Sequence, residues 1–123
     1  YHLEARLEKA ALLVQLTRLD EAQKELVSID QLQPGLLRAL YLKGLVAFFL
    51  QDYQRTREQL EDVLASFPNH LPSLRLQGIS AYALGQYEQA DIYLSRFLAI
   101  LPGDLSMRRV KRSFLPRQLV SSL

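Results

Sequence analysis

The sequence predicts an all-α chain of three helix-turn-helix hairpins in series followed by a short capping helix, and three observations carry that prediction. The first is self-similarity at a fixed spacing. Pro34, Pro68 and Pro102 recur every 34 residues. Ala10, Gly44 and Gly78 make a small column ahead of them, Ala22, Thr56 and Ala90 a second small column, and Leu26, Leu60 and Leu94 a large apolar one. These columns agree in three consecutive windows with no insertion or deletion. The second observation is apolar spacing of helical period in every window, without the two-residue alternation of a strand. The third is that glycine and proline fall only at turns, at helix starts and in the small columns, where they do not interrupt a helix.

The windows run 3–36, 37–70 and 71–104. In the first, two helical patterns flank "TRLD", the loosest of the turns. In the second, "YLKGLVAFFL" leads through "QDY" into the next pattern, and in the third "LPSLRLQGISAYAL" leads through "GQY" into "EQADIYLSRFLAIL". Pro72 stands where an early helical proline is tolerated, and Pro102 stops the second helix. The small columns have a packing reason, because two antiparallel helices approach closely only where a side chain no larger than methyl stands at the crossing. On that scheme Ala10 faces Ala22, Gly44 faces Thr56 and Gly78 faces Ala90. Tyr53 and Tyr87 fall at the turns as structural aromatics. A basic amphipathic helix is expected over 105–115, with Met107, Val110 and Phe114 on one face and Arg108, Arg109, Lys111 and Arg112 on the rest. Pro116 ends it, and in the tail 116–123 Leu119, Val120 and Leu123 have the look of a further element.

At 123 residues the chain is read as one domain, 1–123, with a core large enough to need no disulfide or metal. It has no cysteine, which removes thiol catalysis and thiolate metal sites. No apolar run reaches the length that spans a bilayer, so no direct membrane span is expected. The opening on Tyr1 suggests an excerpt of a longer protein, and location stays open between cytoplasm and periplasm. Charge is uneven: residues 1–104 hold ten Lys/Arg against thirteen Asp/Glu, and 105–123 hold five bases and no acid. That tail reads as a solubilising cap, with an acidic protein partner as the second option and nucleic acid behind it, since no aromatic residues interleave the charges. The histidines, His2 and His70, stand apart from each other and from carboxylates at ligand spacing. No GxSxG, HExxH, GxxxxGK[ST] or GxGxxG occurs, and the acid pairs Glu21/Glu25 and Glu58/Asp62 sit beside Lys24, Arg55 and Arg57 as solvated faces. The reading is no enzyme, no catalytic residue, no metal, no cofactor and no small-molecule substrate.

Leu40, Gly44, Thr56, Leu60 and Pro68, and again Leu74, Gly78, Ala90, Leu94 and Pro102, give a bulky residue, two small ones, a large apolar one and a closing proline. This pattern resembles the tetratricopeptide repeat family. The first window follows it with Arg6 at the bulky position, then Ala10, Ala22, Leu26 and Pro34. The family's leucine before the glycine is replaced by Lys9, Lys43 and Gln77, and its tyrosine after the glycine by Leu13, Ala47 and Ala81, with the aromatic bulk one residue later at Phe48 and Tyr82. The wording "YALGQYEQADIYLSRFLAILPGD" is also similar to bacterial repeat lipoproteins of exopolysaccharide and exosortase export systems.

The resemblance implies a right-handed α-solenoid whose first helices line a concave groove that binds a protein or peptide. By register the groove residues are Glu4, Leu7, Ala11 and Val14, then Arg38, Tyr41, Leu45, Phe48 and Phe49, then Arg75, Ile79, Tyr82 and Ala83. Adjacent helix positions point about 100° apart, so of the phenylalanine pair Phe48 is assigned to the groove and Phe49 to the space between repeats. The family's clamp for a C-terminal carboxylate is not met, because Leu7, Ala11, Leu42, Pro72 and Leu76 stand at its positions. The alternative is a structural or oligomerising scaffold segment of a larger bacterial export or envelope assembly, with homo-oligomer formation.

Overall fold

Seven helices follow one another with short turns: α1 (Leu3–Gln15), α2 (Leu19–Leu32), α3 (Leu37–Phe49), α4 (Tyr53–Ser66), α5 (Leu71–Ala83), α6 (Tyr87–Ile100) and α7 (Leu105–Ser113). The structure, a computed structural model, describes residues 2–113. The expectations for Phe114, Pro116, Leu119, Val120 and Leu123 lie outside those residues. The 34-residue period is reproduced to the residue, since α1, α3, α5 and α7 begin at 3, 37, 71 and 105, and α2, α4 and α6 at 19, 53 and 87. Among the described residues there is no strand, and no helix is long and apolar enough to cross a membrane.

Each hairpin turns on one backbone motif. Thr17, Gln51 and Gly85, each 34 residues from the next, adopt left-handed φ values of 58°, 60° and 77°. The residue after each donates its N–H back across the helix end: Arg18 to the Leu13 carbonyl, Asp52 to that of Ala47 and Gln86 to that of Ala81, all at 2.9 Å. This is the Schellman closure, which satisfies carbonyls the helix leaves unpaired. The "TRLD" turn is therefore as tight as the other two. Asp52 adds a side-chain cap by accepting from the Arg55 amide at 3.2 Å.

The core lies within and between the hairpins, and its close approach differs from the expected pairing. A Cβ built on Gly44 would stand 2.6 Å from Leu60 Cδ2, and one on Gly78 2.6 Å from Leu94 Cδ2. The glycines thus admit the leucines, not Thr56 and Ala90. A helical side chain leans toward its own N-terminus, so Leu60 covers the level of Thr56 and reaches the glycine first. Thr56 is buried beside it, its hydroxyl donating to the Asp52 carbonyl at 3.0 Å.

Between repeats, polar groups join the apolar packing. Lys43 of α3 is paired with Asp30 of α2, and buried Gln77 of α5 donates to the Arg57 carbonyl of α4 at 3.1 Å. In the second and third repeats the column in which the family carries leucine thus links the first helix to the second helix before it, whereas Lys9 in that column lies 3.5 Å from Glu25 of its own partner helix. α1 packs on α3 and α3 on α5, whereas α2, α4 and α6 make no comparable contact with one another among the described residues. The first helices consequently form the inner, concave side of the stack.

Candidate functional site: the concave face of the first helices

The concave face is built from side chains that the 34-residue register stacks in rows. One row runs Leu7, Tyr41, Arg75, Arg109. Leu7 is buried, Tyr41 half-buried, and Arg75 and Arg109 are exposed, so the row opens to solvent toward the C-terminal end as its chemistry turns from apolar to cationic. Arg75 lies near enough to act on Tyr41: burial pushes the Tyr41 hydroxyl above its ordinary value, and the Arg75 charge draws it partly back. A second row, Ala11, Leu45, Ile79, is half-buried along its length. Among the described residues Arg75 and Arg109 have no ion-pair partner.

Two expected groove residues belong to the core. Leu7 and Val14 are 3% and 2% exposed and pack with Ala39, Leu42 and Val46 of α3, because α3 lies against the first hairpin and closes the groove there. The phenylalanine pair also differs from expectation. Phe48 is half-buried with its ring edge-on to Tyr53 at 5.7 Å, while Phe49 is 49% exposed and edge-on to Phe48 at 6.1 Å. One repeat on, Tyr82 makes the same edge contact with Tyr87 at 5.5 Å. The aromatic residue displaced by one position from the family pattern thus packs on the tyrosine that starts its partner helix, an arrangement that favours edge-to-face rings.

Arg38 faces the first hairpin, its guanidinium 2.7 Å from Glu8 and 3.8 Å from Glu4. The hydrogen bond from Arg38 holds the Glu8 carboxyl below its ordinary value. Arg38 therefore ties α3 to α1 across the acidic end of the face. Glu8 went unassigned at the sequence level, although a charge in a column otherwise filled by Leu42 and Leu76 marks it as special. His70, which the sequence offers only as a histidine without ligand partners, also meets this face. Its ring stands edge-on to Tyr41 at 5.3 Å and its Nδ1 is 2.7 Å from the Ser73 hydroxyl, with burial lowering its pKa.

Away from this face, Arg108 and Arg112 of α7 are exposed, and Lys111 lies 3.7 Å from Asp91 of α6. On the convex side a cleft of about 300 Å³ opens between α2, α3 and α4, with Val27, Lys43, Leu50 and Arg55 among its walls.

The tetratricopeptide repeat pattern matches residues 38–70 and 73–103, just over half of the chain. Among curated proteins no sequence matches. Solved structures share the fold at low identity. MamA (41-end) from Desulfovibrio magneticus RS-1 has 20% identity and a TM-score of 0.86 over 94% of this chain. The first repeat domain of Spaghetti (RPAP3), solved bound to the HSP90 peptide SRMEEVD, has 16% identity and 0.86 over 97% of this chain and 93% of its own. The C-terminal repeat domain of the Plasmodium falciparum putative FK506-binding protein PFL2275c has 12% identity and 0.83 over 98% and 90%. The chain spans only 65% to 66% of the MamA chains it matches. None of these likenesses bears out the one to export-system lipoproteins.

Proposed function

The chain belongs to the tetratricopeptide repeat family, and from that premise we propose that it is a noncatalytic interaction module holding a peptide or amphipathic helix of a partner protein against its concave face. The observation that carries this reading is the continuous surface of Tyr41, Leu45, Ile79 and Tyr82, half-buried side chains whose remaining apolar area a partner would cover. Aromatic rings and arginines dominate the energetics of protein interfaces, and Phe49 and Arg75 extend the surface as its most exposed members. Arg38 serves it indirectly, holding α1 against α3.

A peptide read through its C-terminal carboxylate does not suit this face, because the clamp positions carry Leu7, Leu42 and Leu76, all buried. Apolar anchors in an internal segment or a helix suit it better. The scaffold reading keeps one specific support. Ala5 and Leu12 are exposed in columns whose counterparts Ala39, Val46, Ser73 and Ser80 are buried, an apolar surface of the kind on which a further hairpin, of this chain or of another copy, packs.

Selection of a displayed random-peptide library against the protein separates these readings. Peptides held in the groove bind at least about tenfold less tightly to a Tyr41→Ala, Arg75→Glu variant, the size expected when central interface side chains are removed. A selected set that binds wild type and variant alike sinks the groove reading. Concentration-dependent self-association that is lost in Leu12→Glu would favour the scaffold.

A further inference from the structure

The cleft on the convex side exists because the repeats differ there. Its floor is α3 and its walls are α2 and α4, so it lies inside the stack, where neither a preceding nor a following hairpin packs. At the next junction the same columns are bridged. Arg57 of α4 hydrogen-bonds Gln86 and Gln89 of the third hairpin, the second at 3.4 Å, and its guanidinium lies 5.6 Å over the Tyr93 ring. One period earlier these columns hold Gln23, Asp52, Arg55 and Gln59. Gln23 lacks the reach of an arginine and Gln59 the area of a ring, so the space stays open as a cleft of about 300 Å³.

Its walls are partly apolar and partly cationic. Leu26, Val46 and Ala47 are buried behind it, and Val27 and Leu50 stand 54% and 50% exposed along it. Lys43 and Arg55 both line it. Burial lowers the Lys43 pKa and the Arg55 charge lowers it further, so the two cations are close enough to repel. Asp30 pairs with Lys43, whereas among the described residues Arg55 has no ion-pair partner. Asp52 also lines the cleft, one of its oxygens accepting from the Arg55 amide at 3.2 Å. A single carboxylate entering between Lys43 and Arg55 relieves their repulsion, whereas a dianion would also meet the charge of Asp52.

We propose that this cleft binds a short acidic segment of a partner protein, seating one aromatic or branched side chain against Val27 and Leu50 and a neighbouring carboxylate between Arg55 and Lys43. Its volume is at the lower end of those that enclose a whole small molecule, and it suits one side chain of a longer chain better than a cofactor. The free guanidinium of Arg55 can take a carboxylate through two parallel hydrogen bonds, and Asp30 holds Lys43 in place beside it. Nucleic acid fits less well, because its phosphates would approach Asp52 and, among the described residues, no aromatic ring lines the cleft for a base to stack on. The site is separate from the concave face and does not depend on the reading given for it.

Fluorescence anisotropy with labelled, end-blocked peptides in which one Phe and one Glu stand one to four residues apart tests this. At least one spacing is expected to bind, and at least about tenfold more tightly than the same peptide with Gln or phosphoserine in place of Glu, or Ala in place of Phe. Arg55→Glu should remove the binding. So should Gln23→Arg with Gln59→Tyr, which copies the closed junction of Arg57 and Tyr93; melting curves check that both variants keep the fold. Tyr41→Ala with Arg75→Glu should leave the binding unchanged. No binding at any spacing, equal binding of the Gln, Ala or phosphoserine peptide, binding kept in a folded cleft variant, or binding lost with Tyr41 and Arg75 each overturns the proposal.

Discussion

Replacing Gly44 or Gly78 by alanine sets two opposing terms against each other, and the geometry decides between them. Alanine is the better helix former by about 1 kcal/mol, so an unconstrained substitution would stabilise. Against this, the new Cβ at position 44 would lie 2.6 Å from Leu60 Cδ2 and 3.0 Å from its Cγ. Leu60 is fully buried and its side chain has little room to turn aside. Overpacking of this kind costs about 1–3 kcal/mol, which leaves a net loss of roughly 1 kcal/mol at Gly44 after the propensity gain is subtracted. At Gly78 the contact with Leu94 includes Cγ at 2.7 Å as well as Cδ2 at 2.6 Å, so more of the branched end must move and the loss should be larger, about 2 kcal/mol on the same scale. Urea unfolding followed by circular dichroism reads both, each kcal/mol moving the midpoint by roughly 0.3–1 M. The coupling between Gly44→Ala and Leu60→Ala should be favourable by about 1 kcal/mol, because the second change vacates the space the first needs. A stabilised Gly44→Ala, or a Gly78→Ala milder than Gly44→Ala, would refute the close-approach argument.

The hairpin turns give a prediction of the opposite sign. Thr17 is a β-branched residue in the left-handed region, a conformation that costs a non-glycine residue about 1–2 kcal/mol, and Thr17→Gly should raise stability by about 1 kcal/mol, seen as a higher melting temperature; an unchanged or lower one counts against it. His70 supplies a pH dependence. Burial lowers its pKa from 6.5, so below that value the unfolded chain binds the extra proton first. Stability is then full above pH 6.5 and declines as pH falls toward the lowered native value. Wild type should lose more stability than His70→Gln between pH 7.5 and about 5.5, a range above the carboxylate titrations. Equal losses in the two proteins would show that the buried ring is not responsible.

Columns at a fixed spacing made the repeat, the helices and the turns legible in the sequence. What they left undetermined was the direction of individual side chains. Counting residues paired Gly44 with Thr56, yet the lean of a helical side chain toward its N-terminus brings Leu60 into the same space. The groove register likewise treated Leu7 as the equivalent of Tyr41 and Arg75, although only the packing of α3 on the first hairpin tells how far the groove extends. The contacts of Glu8, Arg38 and His70 were hidden for a related reason. Each acts across two helices, and pattern within one window carries no information about a neighbour two helices away.

The same columns also separate the half of a repeat that docks on the hairpin before it from the half that meets its own second helix. Ala10, Gly44 and Gly78 let a leucine of the next helix approach, and Arg112 stands in their column on a helix that docks like the others. Arg112 changes that column but leaves the docking face intact, where Met107 is buried against α6. α7 thus keeps the half of the pattern that covers the apolar end of the third hairpin. In the other half Arg108 falls in the column of Arg6, whose guanidinium meets Glu25 of its own partner helix at 2.8 Å. A cation in that column is therefore compatible with the helical pairing of the earlier repeats, and the basic residues of α7 concentrate on the faces away from Met107.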